Sequence, residues 1–299
     1  MRLMHDVIAA LIDVAIPALA AGVVAILATV VVERFGGTLG GVLSTIPSTI
    51  VPAAIGIYGR SADVDEFRRA MAFIPIGMLL NAGYLVLWRV IPARLGRQMI
   101  QRSPTRLLVS TTLLALGAWC VVALSVVATN NALQPTLDNT LLTGLIAFAA
   151  GIALGFAANR VAHPAPKGTH RVSTIVLAMR GASAVIVIIV ALTLSRAGWP
   201  VASGMAAVFP VIFTTIMIAT WLAQGAHVPT GAVGPMTLGT LSVSAYALLA
   251  AWLFPVMPLW IAAIVAWIIS VGAVSVPAYL YLRARRFRSA HATPSTRSQ

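Results

Sequence analysis

The chain has 299 residues, of which 60% are apolar and 9% are charged, and its mean hydropathy is +0.95. Soluble domains average about 25% charged residues, so this composition excludes a soluble globular enzyme, and it also excludes a disordered chain. The composition predicts an all-α integral membrane protein. The single cysteine, Cys120, excludes a disulfide framework and a multi-cysteine metal site.

Nine apolar runs are long enough to cross the hydrocarbon core of a bilayer, which takes about 20 helical residues. They cover residues 7–33, 37–58, 70–92, 107–129, 140–159, 173–195, 200–222, 234–254 and 257–282. The first run is too long for a cleaved signal peptide. The second run is rich in Gly, Ser, Thr and Pro, so a full crossing and a re-entrant segment both fit it. Asn130 and Asn131 are expected in the link that follows the fourth run.

The net charge of +13 comes from 20 Lys and Arg against 7 Asp and Glu. With nine crossings, five of the 20 basic residues fall on the side of the N-terminus and fifteen fall on the other side. Positive loops mark the cytoplasmic side, so we expect the N-terminus outside and the C-terminus inside. Short loops with this bias are typical of the bacterial inner membrane. No module of aromatic and basic residues for reading nucleic acid is visible, so nucleic acid is not an expected partner.

Two stretches of the sequence share landmarks at a nearly constant spacing. Residues 33–37 match residues 195–199 at an offset of 162. After one gap, three pairs keep an offset of 163: Gly41 with Gly204, Pro47 with Pro210, and Pro92 with Pro255. Chance matching is the alternative, since Gly and Pro are common in membrane segments. The constant spacing favours an internal duplication.

A duplication of this kind has a topological consequence. The two units begin five crossings apart, which is an odd number, so they cross the membrane in opposite directions. Crossings 1–4 and 6–9 then form an inverted pair. We expect a first repeat over 1–129, a connector span over 130–163, a second repeat over 164–288 and a disordered cytoplasmic tail over 289–299.

Each expected unit contains an apolar run that is interrupted by proline. A proline removes a backbone donor from a helix, and groups freed in this way are tolerated in lipid only inside protein or beside a water-filled cavity. Matching interruptions in two halves indicate the binding site of a transporter. We therefore expect substrate contacts from Ser44, Thr45, Pro47, Ser48, Pro210 and Thr214. The alternative is that these small residues mark close helix crossings.

Three further polar side chains lie inside apolar runs. Asn81 is expected to bond either across helices or to the substrate. Arg180 is a candidate for holding an anionic group, with reach to the lipid headgroups as the alternative. Asp13 is a candidate site for a coupling ion, with a hydrated position at the interface as the alternative. Tryptophans near run ends, among them Trp88 and Trp221, are expected in an interfacial belt.

Signals of enzymatic chemistry are missing from the sequence. It has no P-loop, no HExxH, no paired carboxylates inside apolar runs and no Ser-His-Asp set at one depth. The five histidines lack the spacing of metal ligands. We expect no enzyme activity, no cofactor and no metal. Membrane lipids and an unidentified small solute are the expected partners. The sequence is compatible with a homo-oligomer but does not determine the oligomeric state.

Residues 40–47, with the sequence GGVLSTIP, follow the pattern G-G-x-L-x-x-x-P. This segment resembles a motif of small bacterial inner-membrane proteins of the GlpM-like kind, and the stretch that ends at Pro210 is similar to a degenerate second copy. The size and duplication are also similar to the drug/metabolite transporter superfamily. Members of that superfamily usually have ten crossings in two sets of five, whereas nine are expected here. The resemblance assigns no functional residues.

The leading interpretation is a secondary transporter that moves a small solute by alternating access. One alternative is a lipid or polyprenyl-carrier translocase, with a lateral opening and a basic headgroup site near Arg180 and the arginines of residues 94–106. The other alternative is a membrane scaffold or assembly factor, in which the Gly and Pro motifs only pack helices. Polar residues around one central cavity distinguish the first two functions from the third.

Overall fold

The computed structural model describes residues 14–27, 46–99, 103–160, 174–225 and 227–291. Within these ranges the backbone forms helices and the turns between them, and no β-strand is present. The expected all-α fold class is therefore confirmed.

Eleven helices with short links make up the described part of the chain. In chain order they are α1 (Val14–Leu27), α2 (Ile50–Tyr58), α3 (Val64–Met99), α4 (Pro104–Leu133), α5 (Leu137–Ala158), α6 (Thr174–Arg196), α7 (Pro200–Ala207), α8 (Val211–Gln224), α9 (His227–Leu253), α10 (Leu259–Ser270) and α11 (Val276–His291). A π-helical segment, Val271–Ser275, joins α10 directly to α11.

Local sequence accounts for the hairpin between α4 and α5. Ser103 caps the start of α4, and Pro104 occupies a first-turn position that needs no backbone donor. Gln134 ends α4 in the left-handed region, with φ 43°. The Thr136 hydroxyl then accepts a hydrogen bond from the Asn139 N–H at the start of α5. Helices joined by so short a link must be antiparallel neighbours.

Seven of the described helical stretches are long and apolar enough to cross a membrane. They are Val64–Leu95, Pro104–Leu133, Leu137–Ala158, Leu177–Arg196, Pro200–Leu222, Thr230–Leu253 and Leu259–Arg285. These seven coincide with the third to ninth apolar runs of the sequence. The first two runs lie partly outside the described residues, so the full count of nine stays a prediction.

Helices α3 and α9 form the centre of the molecule and pack most extensively against each other. Helix α5 packs on both of them, and glycine allows the close approach: a Cβ at Gly144 would lie 2.6 Å from the carbonyl oxygen of Ala72 on α3. The outer faces of α4, α5 and α10 expose large apolar side chains such as Leu113, Ile146 and Ile264. A lipid environment satisfies these faces, whereas water would not.

Arginines on α3 show which helix ends lie together. At the start of α3, Arg68 donates to the carbonyl of Ala251 at 3.3 Å and Arg69 donates to that of Pro135 at 2.8 Å. This end of the bundle, here called the Arg68 end, contains the end of α9 and the α4–α5 link. Cationic side chains at the carbonyl ends of helices are favourable.

The opposite end of the bundle, here called the Arg89 end, is tied together in the same way. Arg89 donates to the carbonyls of Ala158 on α5, at 2.7 Å, and Thr230 on α9, at 2.8 Å. Arg285 of α11 donates to the Arg160 carbonyl at 2.8 Å. Consecutive long helices therefore alternate in direction, as crossings of a membrane must.

Three expectations about local structure are wrong. Asn130 lies in the last turn of α4 rather than in a link, so the expected boundary at residue 129 falls inside a helix. Helix α11 continues to His291, past the expected start of disorder at residue 289. Trp88 and Trp221 are buried rather than interfacial, with ring centroids 6.1 Å apart. Run length alone does not show which face of a helix meets protein.

Candidate functional site

The first interrupted run turns at Pro47. The Ser48 N–H donates to the Ile46 carbonyl at 2.7 Å, which closes a turn of three residues around the proline. The Ser48 hydroxyl also donates to the Ile46 carbonyl, at 3.3 Å. Helix α2 begins after this turn, at Ile50. The chain therefore changes from a tight turn to a short helix in the middle of an apolar run.

The second interrupted run turns in the same way at Pro210. Helix α7 ends at Ala207, and the Val211 N–H donates to the Phe209 carbonyl at 2.7 Å. This is again a bond across one residue, and that residue is again proline. Helix α8 begins at Val211. The two prolines that matched in sequence thus sit in turns with the same hydrogen-bond pattern.

Asn81 of α3 binds the second turn directly. Its side-chain Nδ2 donates to the Val208 carbonyl at 2.8 Å, across 127 positions of the chain. That carbonyl follows the last residue of α7, where no helical donor is available. Asn81 is 1% exposed and lies near the middle of the span Val64–Leu95. The side chain therefore satisfies a backbone acceptor that the interruption leaves open.

Tyr84, one turn further along α3, makes a second link to the same region. Its hydroxyl lies 2.8 Å from the Thr214 Oγ1, and either oxygen can donate. The Thr214 hydroxyl also lies 2.6 Å from the Pro210 carbonyl, to which it donates. The Tyr84 hydroxyl is therefore the donor to Thr214 in this chain of bonds. Helix α3 thus holds both sides of the Pro210 turn.

A cavity of about 80 Å³ lies between the two turns. This is room for a few water molecules, at roughly 30 Å³ each. Its lining includes two polar side chains, Thr49 and Asn81, among mainly apolar residues. The full lining comprises Ile46, Thr49, Ile50, Met78, Asn81, Ala207, Val208, Phe209, Ile212, Phe213, Gly239 and Val243.

The lining follows the spacing found in the sequence. Three pairs of lining residues lie 163 positions apart: Ile46 with Phe209, Thr49 with Ile212, and Ile50 with Phe213. The remaining wall comes from α3 and α9, where Asn81 and Gly239 lie close to the middle of their spans. The cavity is therefore at mid-depth and takes corresponding residues from both interrupted runs.

The electrostatics of the cavity come from the backbone. Within the described chain, the lining residues include no charged side chain. Helices α2 and α8 both begin at the cavity, and the first N–H groups of a helix have no helical acceptor. At α8, the first helical bond is donated by Thr214, so the N–H groups of Ile212 and Phe213 precede it. Helix starts carry partial positive charge. The cavity therefore presents backbone hydrogen-bond donors but, among the described lining residues, no cationic side chain.

The structure brings several of the predicted site residues to this cavity. The turns at Pro47 and Pro210 form two of its walls, Asn81 lines it, and Thr214 is bonded to the second turn. Ser48 directs its hydroxyl to its own turn.

Other predicted site residues are elsewhere or outside the described residues. Arg180 is buried on α6, beside the crossing where Gly181 meets Gly22 of α1, and it does not line the cavity. Ser44, Thr45 and Asp13 lie outside the described residues, so their roles stay predictions.

Sequence reasoning missed most of the apolar walls and the role of Tyr84. Phe213 lies 163 positions after Ile50. The repeat offset would therefore have predicted that one of them lines the cavity as soon as the other was placed there. Tyr84 lies one helical turn after Asn81, which places both on one face of α3. Nothing in the sequence indicates that Met78 and Val243 line the site, because apolar residues occupy every face of these helices.

The described parts of the chain contain no group of three or more His, Cys, Asp or Glu side chains that could hold a metal ion. Comparisons with protein-family models, with curated proteins and with solved structures found no match. The resemblance to GlpM-like proteins and to drug/metabolite transporters therefore stays a prediction. The site is assigned from its geometry alone.

Proposed function

We propose that this protein is a secondary transporter that moves a small solute across the bacterial inner membrane by alternating access. The supporting observation is the meeting of two proline turns with the same hydrogen-bond pattern at one mid-depth cavity. Interrupted helices that meet at the midplane are the usual binding sites of secondary transporters.

The proposal includes an inverted repeat of crossings 1–4 and 6–9, joined by α5. Its support is the spacing of 163 positions between lining residues of the two turns. The central helices α3 and α9 would be counterparts, and they run in opposite directions, as an inverted repeat requires. Two copies of one shape that face opposite ways can exchange conformations, which supplies outward-open and inward-open states of similar free energy.

The direction of insertion is part of the proposal. The Arg89 end of the bundle would face the cytoplasm, because fifteen of the 20 basic residues fall on that side of the predicted topology. Asp13 stays the candidate for the coupling ion. It lies well inside an apolar run, whereas Glu33 is the last residue of that run and the described carboxylates lie at helix ends.

Cysteine accessibility in membrane vesicles tests the proposal. In a Cys120→Ala background, single cysteines replace Thr49 and Val243, which line the cavity from α2 and α9 sides. A membrane-impermeant methanethiosulfonate reagent is then applied to right-side-out and inside-out vesicles. Ile146→Cys is the matched control, because Ile146 lies at similar depth on α5 and is 59% exposed on the outer face.

Alternating access predicts that both cavity cysteines react in both vesicle orientations and that Ile146→Cys reacts in neither. Reaction from one side alone would contradict alternating access. If neither cavity cysteine reacts, the turns are dry packing surfaces, and a scaffold or assembly factor becomes the better interpretation.

Two exposed positions test the direction of insertion in the same vesicles. Ala62→Cys lies at the Arg68 end and Ala284→Cys lies beside Arg285 at the Arg89 end. We expect Ala62→Cys to react in right-side-out vesicles and Ala284→Cys to react in inside-out vesicles. The reverse result would contradict the proposed orientation without affecting the transport proposal.

A further inference from the structure

The Asn81 side chain has one hydrogen-bonding atom without a partner. Its Nδ2 is bonded to the Val208 carbonyl, but its Oδ1 is buried and accepts no hydrogen bond in the described structure. The Val208 oxygen can only accept, so the amide cannot be reversed without losing the bond at 2.8 Å. A buried acceptor without a donor costs about 1–3 kcal/mol. An occupant of the adjoining cavity that carries a donor removes that cost.

The charge of the cavity wall limits which donors fit. The helix starts of α2 and α8 present partial positive charge, which disfavours a cation. The Asn81 Oδ1 presents an acceptor and no cationic side chain lines the described wall, which disfavours an anion. Desolvating any full charge without a partner is costly. An uncharged solute avoids both penalties.

We propose that the cavity binds a small, uncharged, largely apolar solute that donates a hydrogen bond to Asn81 Oδ1 and accepts one from the N–H groups at the start of α8. This inference rests on the proposed transport function and specifies its substrate class. The apolar lining, with Met78, Phe213 and Val243 around it, holds the body of the solute. The volume of about 80 Å³ suits a molecule of about four non-hydrogen atoms.

Three probes of nearly equal shape separate the possibilities. Acetamide is uncharged and donates hydrogen bonds, acetone is uncharged without a donor, and acetate carries a negative charge without a donor at neutral pH. Each probe is tested for slowing the methanethiosulfonate reaction of Val243→Cys in the Cys120→Ala background. The reaction of Ala284→Cys, far from the cavity, controls for effects of the probes on the vesicles or on the reagent.

We expect acetamide to slow the Val243→Cys reaction at about a tenfold lower concentration than acetone, since one hydrogen bond to a buried acceptor distinguishes them. Acetate should be no better than acetone. Equal protection by acetamide and acetone would overturn the inference, and so would the strongest protection by acetate, which would indicate an anion site at the helix starts.

Two variants test whether the preference for acetamide over acetone depends on Asn81. In Asn81→Leu the advantage of acetamide should disappear, whereas in Ser244→Ala it should remain tenfold. Ser244 lies 163 positions after Asn81, but its hydroxyl donates to Thr240 on its own helix. An advantage that survives Asn81→Leu would overturn the assignment of Oδ1. If Asn81→Leu does not fold, the comparison of the three probes in the parent still decides the inference.

The same experiment separates this inference from the transport proposal. A Val243→Cys that never reacts in either vesicle orientation contradicts both. A Val243→Cys that reacts from both sides, with equal protection by the three probes, leaves alternating access supported and overturns only the substrate class.

Discussion

The turns at Pro47 and Pro210 have the same backbone pattern, but the side chains at corresponding positions of α3 and α9 bond differently. Helix α3 binds the Pro210 turn twice, through Asn81 to the Val208 carbonyl and through Tyr84 to Thr214. The residue that corresponds to Val208 is Thr45, which lies outside the described residues, and the Ser244 hydroxyl of α9, which corresponds to Asn81, donates to Thr240.

The side chains of α9 show this difference. Ser244 donates to Thr240 on its own helix, at 3.3 Å. The buried Tyr246 hydroxyl has no hydrogen-bond partner in the described structure. The side chains at the corresponding positions of α3 and α9 therefore do different work: Asn81 binds the Pro210 turn, whereas Ser244 bonds within its own helix.

The largest expected effect comes from separating α7 from α3. A Cβ at Gly204 would collide with the backbone carbonyl of Ala70, which cannot turn away. We expect Gly204→Ala to lower the free energy of unfolding by about 3 kcal/mol. The measurement is unfolding by SDS in mixed micelles.

The matched control for that change lies on α3 itself. Gly83→Ala places its Cβ in open space, with no atom within 4 Å. Alanine favours a helix over glycine by up to about 1 kcal/mol, so Gly83→Ala should leave stability unchanged or raise it. Equal effects at both glycines would show that α7 is not anchored at this crossing.

A smaller effect is expected from removing the amide that holds the turn. Asn81→Leu leaves the Val208 carbonyl without its donor, so we expect a loss of about 2 kcal/mol in the same assay. Ser244→Ala on α9 should change stability by less than about 0.5 kcal/mol, because its hydroxyl serves only its own helix. If the two variants lose equal stability, the proposed asymmetry between the turns is wrong.

The smallest effect is expected from the tyrosine hydroxyls. Tyr84→Phe removes one bond to Thr214, which keeps its bond to Pro210, so a loss of about 1 kcal/mol is expected. Tyr246→Phe removes a buried hydroxyl that has no partner in the described residues, so stability should stay the same or rise. A greater loss at Tyr246 would indicate a partner for its hydroxyl and weaken the contrast.

The sequence predicted the seven long apolar helices that the structure describes and the two proline interruptions, because both are encoded along the chain. A crossing requires a long apolar run, and a proline lacks a donor wherever it stands. Pro47 and Pro210 could therefore be located without a structure. The lining residues next to these two prolines could also be paired from the sequence, because they lie 163 positions apart.

Which side chains point toward lipid and which point into the protein could not be predicted in the same way. Lipid and protein interior are both apolar, so Trp88 in the core and Trp260 on the outer face look alike in sequence. Arg180 lies in an apolar run, but the sequence did not show that it would be buried beside a glycine crossing and away from the cavity, and its ligand role stays a prediction. Tyr84 was missed because its partner, Thr214, is 130 positions away.

The packing of α5 against both α3 and α9 has a consequence for biosynthesis. Its glycines Gly151 and Gly155 lie where a Cβ would touch Leu241 and Leu238 of α9, at 3.0 and 2.8 Å. Ribosomes deliver the chain from its N-terminus, so α5 enters the membrane before α9 has been made. During that interval α9 cannot cover the strip formed by Gly151 and Gly155. The strip therefore gains the protein neighbour seen in the structure only after α9 has been inserted.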